Sequence, residues 1–252
     1  MGDEMLRAAL DSSRINALIT QYWRVSVVDV TASTQSDLAE LVRQGKAIPG
    51  QVLAANFQSA GRGRMSRTFD APKNSALLFS FYIEPKRAKD DWGWVPLIAG
   101  ASVAKTLSDY EASIKWPNDI LIKDKKVSGL IAEIVDHGVV VGIGINVGMK
   151  SEELPVTHAT SLAIEGGHGF DRNTLLSKVL TEFHNLFTGW DSGDDSVRAL
   201  YSSLSSTLGK NVRIEYPNEQ SETGVAVAIS SRGELIMESG SYVQAGDIIH
   251  LR

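Results

Sequence analysis

A basic, glycine-bearing segment over residues 58–64 is the first place where this sequence could perform chemistry. It reads Gln-Ser-Ala-Gly-Arg-Gly-Arg and directly follows an apolar stretch. Gly61 and Gly63 let the backbone approach a ligand closely, because glycine has no Cβ. Arg62 and Arg64 offer forked N–H donors that suit a carboxylate or a phosphate. The segment favours a site that holds an acid beside a nucleotide phosphate; a flexible basic loop is the alternative.

A second candidate segment is Lys115-Trp116-Pro117-Asn118-Asp119. Pro117 cannot donate to a sheet, so the preceding strand is predicted to stop there. Lys115 then lies at a rigid strand end, where its ammonium can stabilise negative charge developing on phosphorus. Trp116 is predicted to pack as a platform beside it. An ordinary turn with a solvated lysine fits the same residues.

Three further segments carry polar groups or glycines. Residues 33–35 (Ser-Thr-Gln) are typical of a helix N-cap and would also supply donors to a neutral polar ligand. Residues 126–133 resemble a core strand, in which Gly129 indicates a close backbone approach. Residues 142–148 contain three glycines, but their spacing differs from a dinucleotide fingerprint. A strand that brings Asn146 near a ligand is the better interpretation.

Hydrophobic periodicity predicts the elements that position these segments. Strands and helices succeed one another irregularly, which indicates an α+β domain with a mixed, mainly antiparallel sheet flanked by helices. Strands are predicted at residues 25–30, 51–57, 76–83, 113–116, 120–122, 127–135 and 139–147. Helices are predicted within residues 5–20, from Ser33 or Thr34 onward, and at residues 94–107, 171–190 and 197–208.

The pattern of apolar and polar residues changes near residue 208. Short alternating runs follow at residues 212–216, 225–229, 234–237 and 248–251, with turn residues between them. Short strands without intervening helices are typical of a small barrel. We therefore expect two domains, 1–207 and 208–252.

Composition excludes several classes of protein. The chain has 252 residues, a formal charge of −5, and no cysteine, so disulfides and zinc-thiolate sites are excluded. Its acidic balance disfavours a dedicated nucleic-acid binder. No secretory signal or apolar run of membrane-spanning length is present, and the default expectation is a soluble cytoplasmic protein. The histidines show no metal-ligand spacing, and no metal site is assigned.

Taken together and in this order, the segments resemble the biotin protein ligases. That family's pattern runs Ser-Thr-Asn/Gln, Gln-x-x-Gly-Arg-Gly-Arg, Lys-Trp-Pro-Asn-Asp, Lys-x-x-Gly-Ile/Leu-Leu/Ile-x-Glu and Gly-Ile/Ala-Gly-Ile-Asn. Each block occurs here between Ser33 and Asn146, and the resemblance covers roughly residues 25–252. It implies a class II synthetase-like catalytic domain with an SH3-like C-terminal β-barrel.

The resemblance also implies a reaction and a set of roles. Biotin and MgATP would give biotinyl-5′-adenylate and pyrophosphate, and a lysine of a biotin carboxyl carrier protein domain would then take the biotin and release AMP. The Mg²⁺ would travel with ATP. The residues implied to bind biotin are Ser33, Thr34, Gln35, Gln58, Arg62, Gly63, Arg64, Lys115 and Gly129. Those implied at the ATP or adenylate are Gly61, Arg62, Arg64, Lys115, Trp116, Asn118 and Asn146, with Lys115, Arg62 and Arg64 catalytic.

The resemblance leaves some points open. Bifunctional members carry an N-terminal DNA-binding domain, and the first predicted core strand here begins at Val25, so we expect no DNA binding or repressor activity. Phe69 stands near where many members have Trp. Monomers and homodimers both occur in the family. Residues 61–67 are expected to become ordered only over the adenylate.

Three other functions share some of these features. A lipoate or octanoate ligase or transferase shares the fold but lacks the Gly-Arg-Gly-Arg arrangement. A Gly-Arg-loop nucleic-acid-binding protein conflicts with the acidic charge and with the absence of aromatic residues around Arg62 and Arg64. A non-catalytic biotin sensor conflicts with the intact Lys115 and both arginines.

Overall fold

Two β-sheets organise the chain. The computed structural model describes residues 7–65, 67–166, 171–216 and 220–251. The larger sheet has seven strands in the spatial order β1-β2-β3-β7-β6-β5-β4. These are β1 (Arg24–Thr31), β2 (Gln51–Gln58), β3 (Ala76–Ile83), β4 (Ser113–Lys115), β5 (Asp119–Ile122), β6 (Lys125–Val135) and β7 (Gly138–Asn146). The helices are α1 (Ser12–Ala17), α2 (Thr34–Arg43), α3 (Trp94–Thr106), α4 (Arg172–Asp191) and α5 (Ser196–Leu204), with short 3₁₀ turns at Lys89–Asp91, Ser108–Tyr110 and Ser151–Glu153.

Strands β3 and β7 form the centre of the larger sheet. Every residue of both strands is buried, which is typical of strands covered on both faces. They pair antiparallel, from Ala76 opposite Asn146 to Ile83 opposite Val139. Among the described strands, β1 and β2 make the one parallel pair, because α2 carries the chain back between them. The predicted mixed, mainly antiparallel sheet is confirmed.

Helices cover both faces of this sheet. On one face, α3 is apolar on all sides and packs between the sheet and α4, as a helix at the centre of a core must. On the other face, Leu38 and Val42 of α2 pack against Tyr82 and Val140. Within the described residues, no helix is both long and apolar enough to cross a bilayer.

A five-stranded antiparallel sheet follows the last helix. Its strands are β8 (Asn211–Glu215), β9 (Ser221–Ile229), β10 (Leu235–Met237), β11 (Tyr242–Val243) and β12 (Asp247–His250), in the spatial order β11-β10-β9-β8-β12. Two indole N–H groups join it to the rest of the chain: Trp94 donates to the Ser230 carbonyl at 3.1 Å, and Trp116 donates to the Gly233 carbonyl at 3.3 Å.

The predicted elements are present, with three differences. The helix predicted to reach residue 208 ends at Leu204, because the Ser206 N–H leaves the helix and donates to the Ile114 carbonyl at 2.8 Å. Strand β11 was not predicted, since two residues carry no periodicity. One helix, α1, occupies the described part of residues 5–20; residues 5 and 6 lie outside the described ranges. The boundary at residue 208 stays a prediction.

Candidate active site

A cavity of about 110 Å³ lies against the larger sheet, below the hairpin at residues 61–69. Its walls come from the start of α2, the end of β2, and the middle of β3, β6 and β7. It opens into a wider outer groove of about 600 Å³, and both spaces are bordered by Arg62, Gly63, Arg64 and Asn118. The cavity thus has an inner end within the sheet and a mouth beneath the hairpin.

The inner end carries a neutral hydrogen-bond network. The backbone N–H and the hydroxyl of Thr34 both donate to Gln58 Oε1, at 2.7 and 3.0 Å, and the Thr34 and Ser80 hydroxyls lie 2.9 Å apart. Gln35 donates from Nε2 to the Val140 carbonyl at 3.0 Å. Its buried Oε1 has no hydrogen-bond partner among the described residues. A buried acceptor without a donor is costly, so this end suits a neutral ligand that carries N–H groups.

Two glycines of β7 make room for this network and for the hairpin. A Cβ on Gly142 would lie 2.7 Å from Gln35 Oε1, and one on Gly144 would lie 2.7 Å from the ring of Phe69. Both distances are too short for real atoms. Gly142 and Gly144 therefore leave the strand surface free of side chains at two positions, and Gln35 and Phe69 pack there.

The hairpin at residues 61–69 is held by backbone hydrogen bonds. Gly63 donates to the Arg67 carbonyl at 2.7 Å, and Phe69 donates to the Gly61 carbonyl at 2.9 Å. A Cβ on Gly61 would lie 2.4 Å from the Phe69 carbonyl oxygen, so glycine is required at this position. Ser66 lies outside the described residues, and the expected ordering of residues 61–67 by ligand stays a prediction.

The mouth of the cavity is cationic. Lys126 pairs with Asp119 at 2.6 Å, and Arg62 pairs with Glu133 at 3.2 Å. Arg67 pairs with Asp247 of the C-terminal sheet.

Arg64 differs from these three cations, because its partner is the neutral Asn118 Oδ1 at 3.0 Å and it makes no ion pair within the described residues. Burial lowers the pKa of the half-buried Arg64 guanidinium. An uncompensated, partly desolvated cation is a strong attractor for an anion.

The structure brings together nine of the residues implied by the resemblance. The cavity is lined by Ser33, Thr34, Gln35, Gln58, Arg62, Gly63, Arg64, Asn118 and Gly129, and Gly61 borders the outer groove. Ser33 caps α2 by accepting from the Ser36 N–H at 3.4 Å, as its N-cap interpretation predicts.

Three implied residues border neither the cavity nor the outer groove. Lys115 ends β4, as predicted, and is the strand partner of Asp119, so the two side chains extend from the same face of the sheet. Burial lowers the pKa of this lysine, and the Asp119 carboxylate partly offsets the effect. Trp116 is buried and donates to the Gly233 carbonyl of the C-terminal sheet region, and its part beside the ligand stays a prediction. Asn146 is buried and donates to the Thr160 carbonyl at 2.9 Å.

Lys126 also lines the cavity, although it was not among the predicted site residues. A Cβ on Gly129 would lie 3.1 Å from Lys126 Cε and Nζ, so this glycine leaves the space in which the lysine side chain lies. The available signal was a lysine directly preceding a mostly buried strand, three positions before a glycine. Asp119, Phe69 and Ser80 also line the cavity.

Two family models match this chain. Residues 27–150 match the Biotin/lipoate A/B protein ligase family, and residues 207–251 match the Biotin protein ligase C terminal domain. The biotin–[acetyl-CoA-carboxylase] ligase of Mycobacterium tuberculosis is 36% identical over 91% of this chain and 90% of that protein. The bifunctional ligase/repressor BirA of Bacillus subtilis is 29% identical over 86% of this chain and 70% of that protein.

A solved structure shares the fold. The biotin protein ligase of Aquifex aeolicus, in complex with biotin and ATP, superposes with a TM-score of 0.77 at 30% identity, covering 90% of this chain and 98% of that one. With the sequence relatives and both domain matches, this shows that the chain belongs to the biotin protein ligase family.

Proposed function

We propose that this protein activates biotin with ATP to biotinyl-5′-adenylate and then transfers biotin to a lysine of a biotin carboxyl carrier protein domain. The observation that carries the proposal is the division of one cavity into a neutral hydrogen-bonding end and a cationic mouth. Biotin has the same division, with a neutral ureido head and a carboxylate at the end of its chain.

The inner end would bind the ureido head. Gln35 Oε1 is a buried acceptor without a donor, and the ureido ring supplies N–H donors. Thr34, Gln58 and Ser80 are fixed by their mutual hydrogen bonds, so little ordering is needed when the ligand enters. Preorganised polar groups of this kind give specificity.

The mouth would hold the reacting anions. A biotin carboxylate oxygen forms a bond to the α-phosphorus of ATP, and pyrophosphate leaves with the electrons of the broken P–O bond. Carboxylate and triphosphate repel one another, and Arg62, Arg64 and Lys126 would offset that repulsion and orient the carboxylate. Lys115 is expected to bridge the carboxylate and the α-phosphate from the Asp119 side of the sheet, and Lys126, which lines the cavity, would assist it.

Transfer would follow at the same mouth. The neutral amine of the carrier lysine attacks the biotinyl carbonyl, AMP leaves, and the new amide nitrogen loses a proton. The outer groove is the side from which a protein lysine would enter. Because ATP is the co-substrate, we place the reaction in the cytoplasm.

Mg²⁺ would arrive with ATP. Within the described ranges, no group of three or more metal-ligating side chains forms a protein cage. Asp119 and Asn118 do place a carboxylate and an amide oxygen on the cavity wall, which fits an ion that takes its remaining ligands from phosphates and water. Bound Mg²⁺ would neutralise phosphate charge.

Pyrophosphate–ATP exchange tests the activity. Exchange should require biotin, and the purified protein with ATP and biotin should label a biotin carboxyl carrier domain. Exchange that proceeds without biotin would refute the proposal, and exchange driven by lipoate or octanoate would favour the related acyl ligases.

A further inference from the structure

Glu133 lies between two arginines at the outer edge of the site. Its Oε1 accepts from Arg43 Nη2 at 2.6 Å, and its Oε2 accepts from Arg62 Nη1 at 3.2 Å. Arg43 is the last residue of α2, and Arg62 belongs to the hairpin that covers the cavity. One carboxylate thus joins the fixed helix to the covering hairpin.

The two ion pairs of Glu133 connect different parts of the structure. Glu133 is on β6, opposite Val140 of β7, and its bond to Arg43 connects two elements that are already packed in the fold. That bond uses Oε1, and Oε2 separately accepts from Arg62. The hairpin itself is held by its own backbone bonds and by Phe69 against Gly144. Glu133 therefore adds an attachment at the arginine side of the hairpin.

The attachment leaves Arg62 able to bind a ligand. Only Nη1 of this guanidinium has a hydrogen-bond partner among the described residues, namely Glu133 and, at 3.5 Å, Ser36 Oγ. A guanidinium has five N–H donors, so Nε and Nη2 can serve an anion in the cavity. Glu133 borders the outer groove and not the inner cavity, so it is not placed to touch the ligand itself.

We propose that Glu133 is a positioning residue that holds the Arg62 hairpin closed and so slows the escape of biotinyl-adenylate before transfer. This rests on the proposed function, because the retained species is the product of the first half-reaction. An adenylate that escapes is lost to hydrolysis in solution, so retention couples the two half-reactions.

The test is adenylate release from Glu133→Gln, which keeps the shape of the side chain and removes its charge. Enzyme loaded with labelled biotin and ATP is separated from free ligand, and the loss of bound adenylate is followed during a chase. We expect release to be roughly two- to fivefold faster than in the wild type, the range that an exposed ion pair supports. Single-turnover adenylate formation should stay near the wild-type rate, because the reacting groups are untouched.

Arg43→Gln is the matched control. It removes the other ion pair of the same carboxylate and should release the adenylate at close to the wild-type rate. Combined with Arg62→Gln, the Glu133→Gln change should add nothing, since its partner is already gone. Rising salt should speed release from the wild type more than from Glu133→Gln, because salt screens the pair.

Three results would overturn the proposal. Unchanged release in Glu133→Gln excludes a holding role. Slower release or tighter biotin binding would mean that Glu133 competes with the ligand for Arg62. Equal acceleration in Arg43→Gln, with an equal fall in Tm, would mean a structural contribution only. Absence of biotin-dependent exchange in the wild type would instead refute the proposed function and would be seen first.

Discussion

The two ends of the cavity are built in opposite ways. The inner end holds uncharged side chains of Thr34, Gln58 and Ser80, all buried and all on helices or strands. The mouth holds cationic side chains, of which Arg62, Arg64 and Arg67 are on the hairpin and Lys126 is on a strand.

This difference separates recognition from chemistry. A neutral head group is identified by fixed hydrogen bonds, and their value depends on burial. Charge that develops during reaction is stabilised by cations, and these must also let substrates enter and products leave. Changes at the inner end should therefore alter biotin affinity, and changes at the mouth should alter rates.

The largest expected effect comes from the two lysines at the mouth. Lys126→Ala should lower biotin-dependent pyrophosphate exchange by about 100-fold or more, because it removes a cation from the reacting charges. Biotin binding measured by calorimetry should change little.

Lys115→Ala is the companion variant, since this lysine is the strand partner of Asp119 on the same face of the sheet. It should also lower exchange by about 100-fold or more while biotin binding changes little, because the bridging cation is lost. An equal loss of exchange and of biotin binding would refute the bridging role of Lys115.

At the inner end, Thr34→Val should weaken biotin binding by about 10- to 100-fold. The hydroxyl bonds both Gln58 and Ser80, and removing it leaves buried polar groups short of a partner, which costs about 1–3 kcal/mol. Exchange at saturating biotin should remain near the wild-type rate. A fall in that rate with unchanged affinity would contradict the separation of the two ends.

Gly144→Ala tests the contact between this glycine and the Phe69 ring, by which the hairpin packs against the sheet. The new methyl would lie 2.7 Å from the Phe69 ring, and overpacking of this kind costs about 1–3 kcal/mol. We expect weaker biotin binding by roughly tenfold, and partial recovery when Phe69→Leu makes room in the double variant. No recovery in the double variant would show that the displaced hairpin is not the cause.

The smallest effect is expected from salt. Biotin alone should bind with only weakly salt-dependent affinity, because its head binds at the neutral inner end and only one carboxylate reaches the cations. The KM for ATP should rise by roughly two- to fivefold as salt increases to about 0.5 M, since the cations at the mouth are partly exposed and screened. Equal salt dependence for both ligands would argue against the charge division.

Local patterns explain why most of the fold was predictable. Continuous apolar runs such as Ala76–Ile83 become central strands, and Ser33 caps α2. The Gly-Arg segment was predicted to border the ligand, and it does border the cavity.

The place of Lys126 at the cavity was not predictable, because it depends on register. The pairing of β5 with β6 shifts between Ile120 and Leu121, and that irregularity has no signature in the residues themselves. The ion pair of Lys126 with Asp119 joins these two strands, so its position follows from their pairing. The fit of Phe69 over Gly144 is likewise a long-range contact that no local pattern contains.

The Trp116 indole has a consequence for engineering. Pro117 follows it directly, and Asn118 already borders the cavity, so the same short segment is attached to the C-terminal sheet at one end and to the ligand site at the other. A chain shortened to residue 207 would leave the buried N–H groups of Trp94 and Trp116 without acceptors. The C-terminal sheet is therefore a poor place to cut when the enzyme is trimmed, split or permuted.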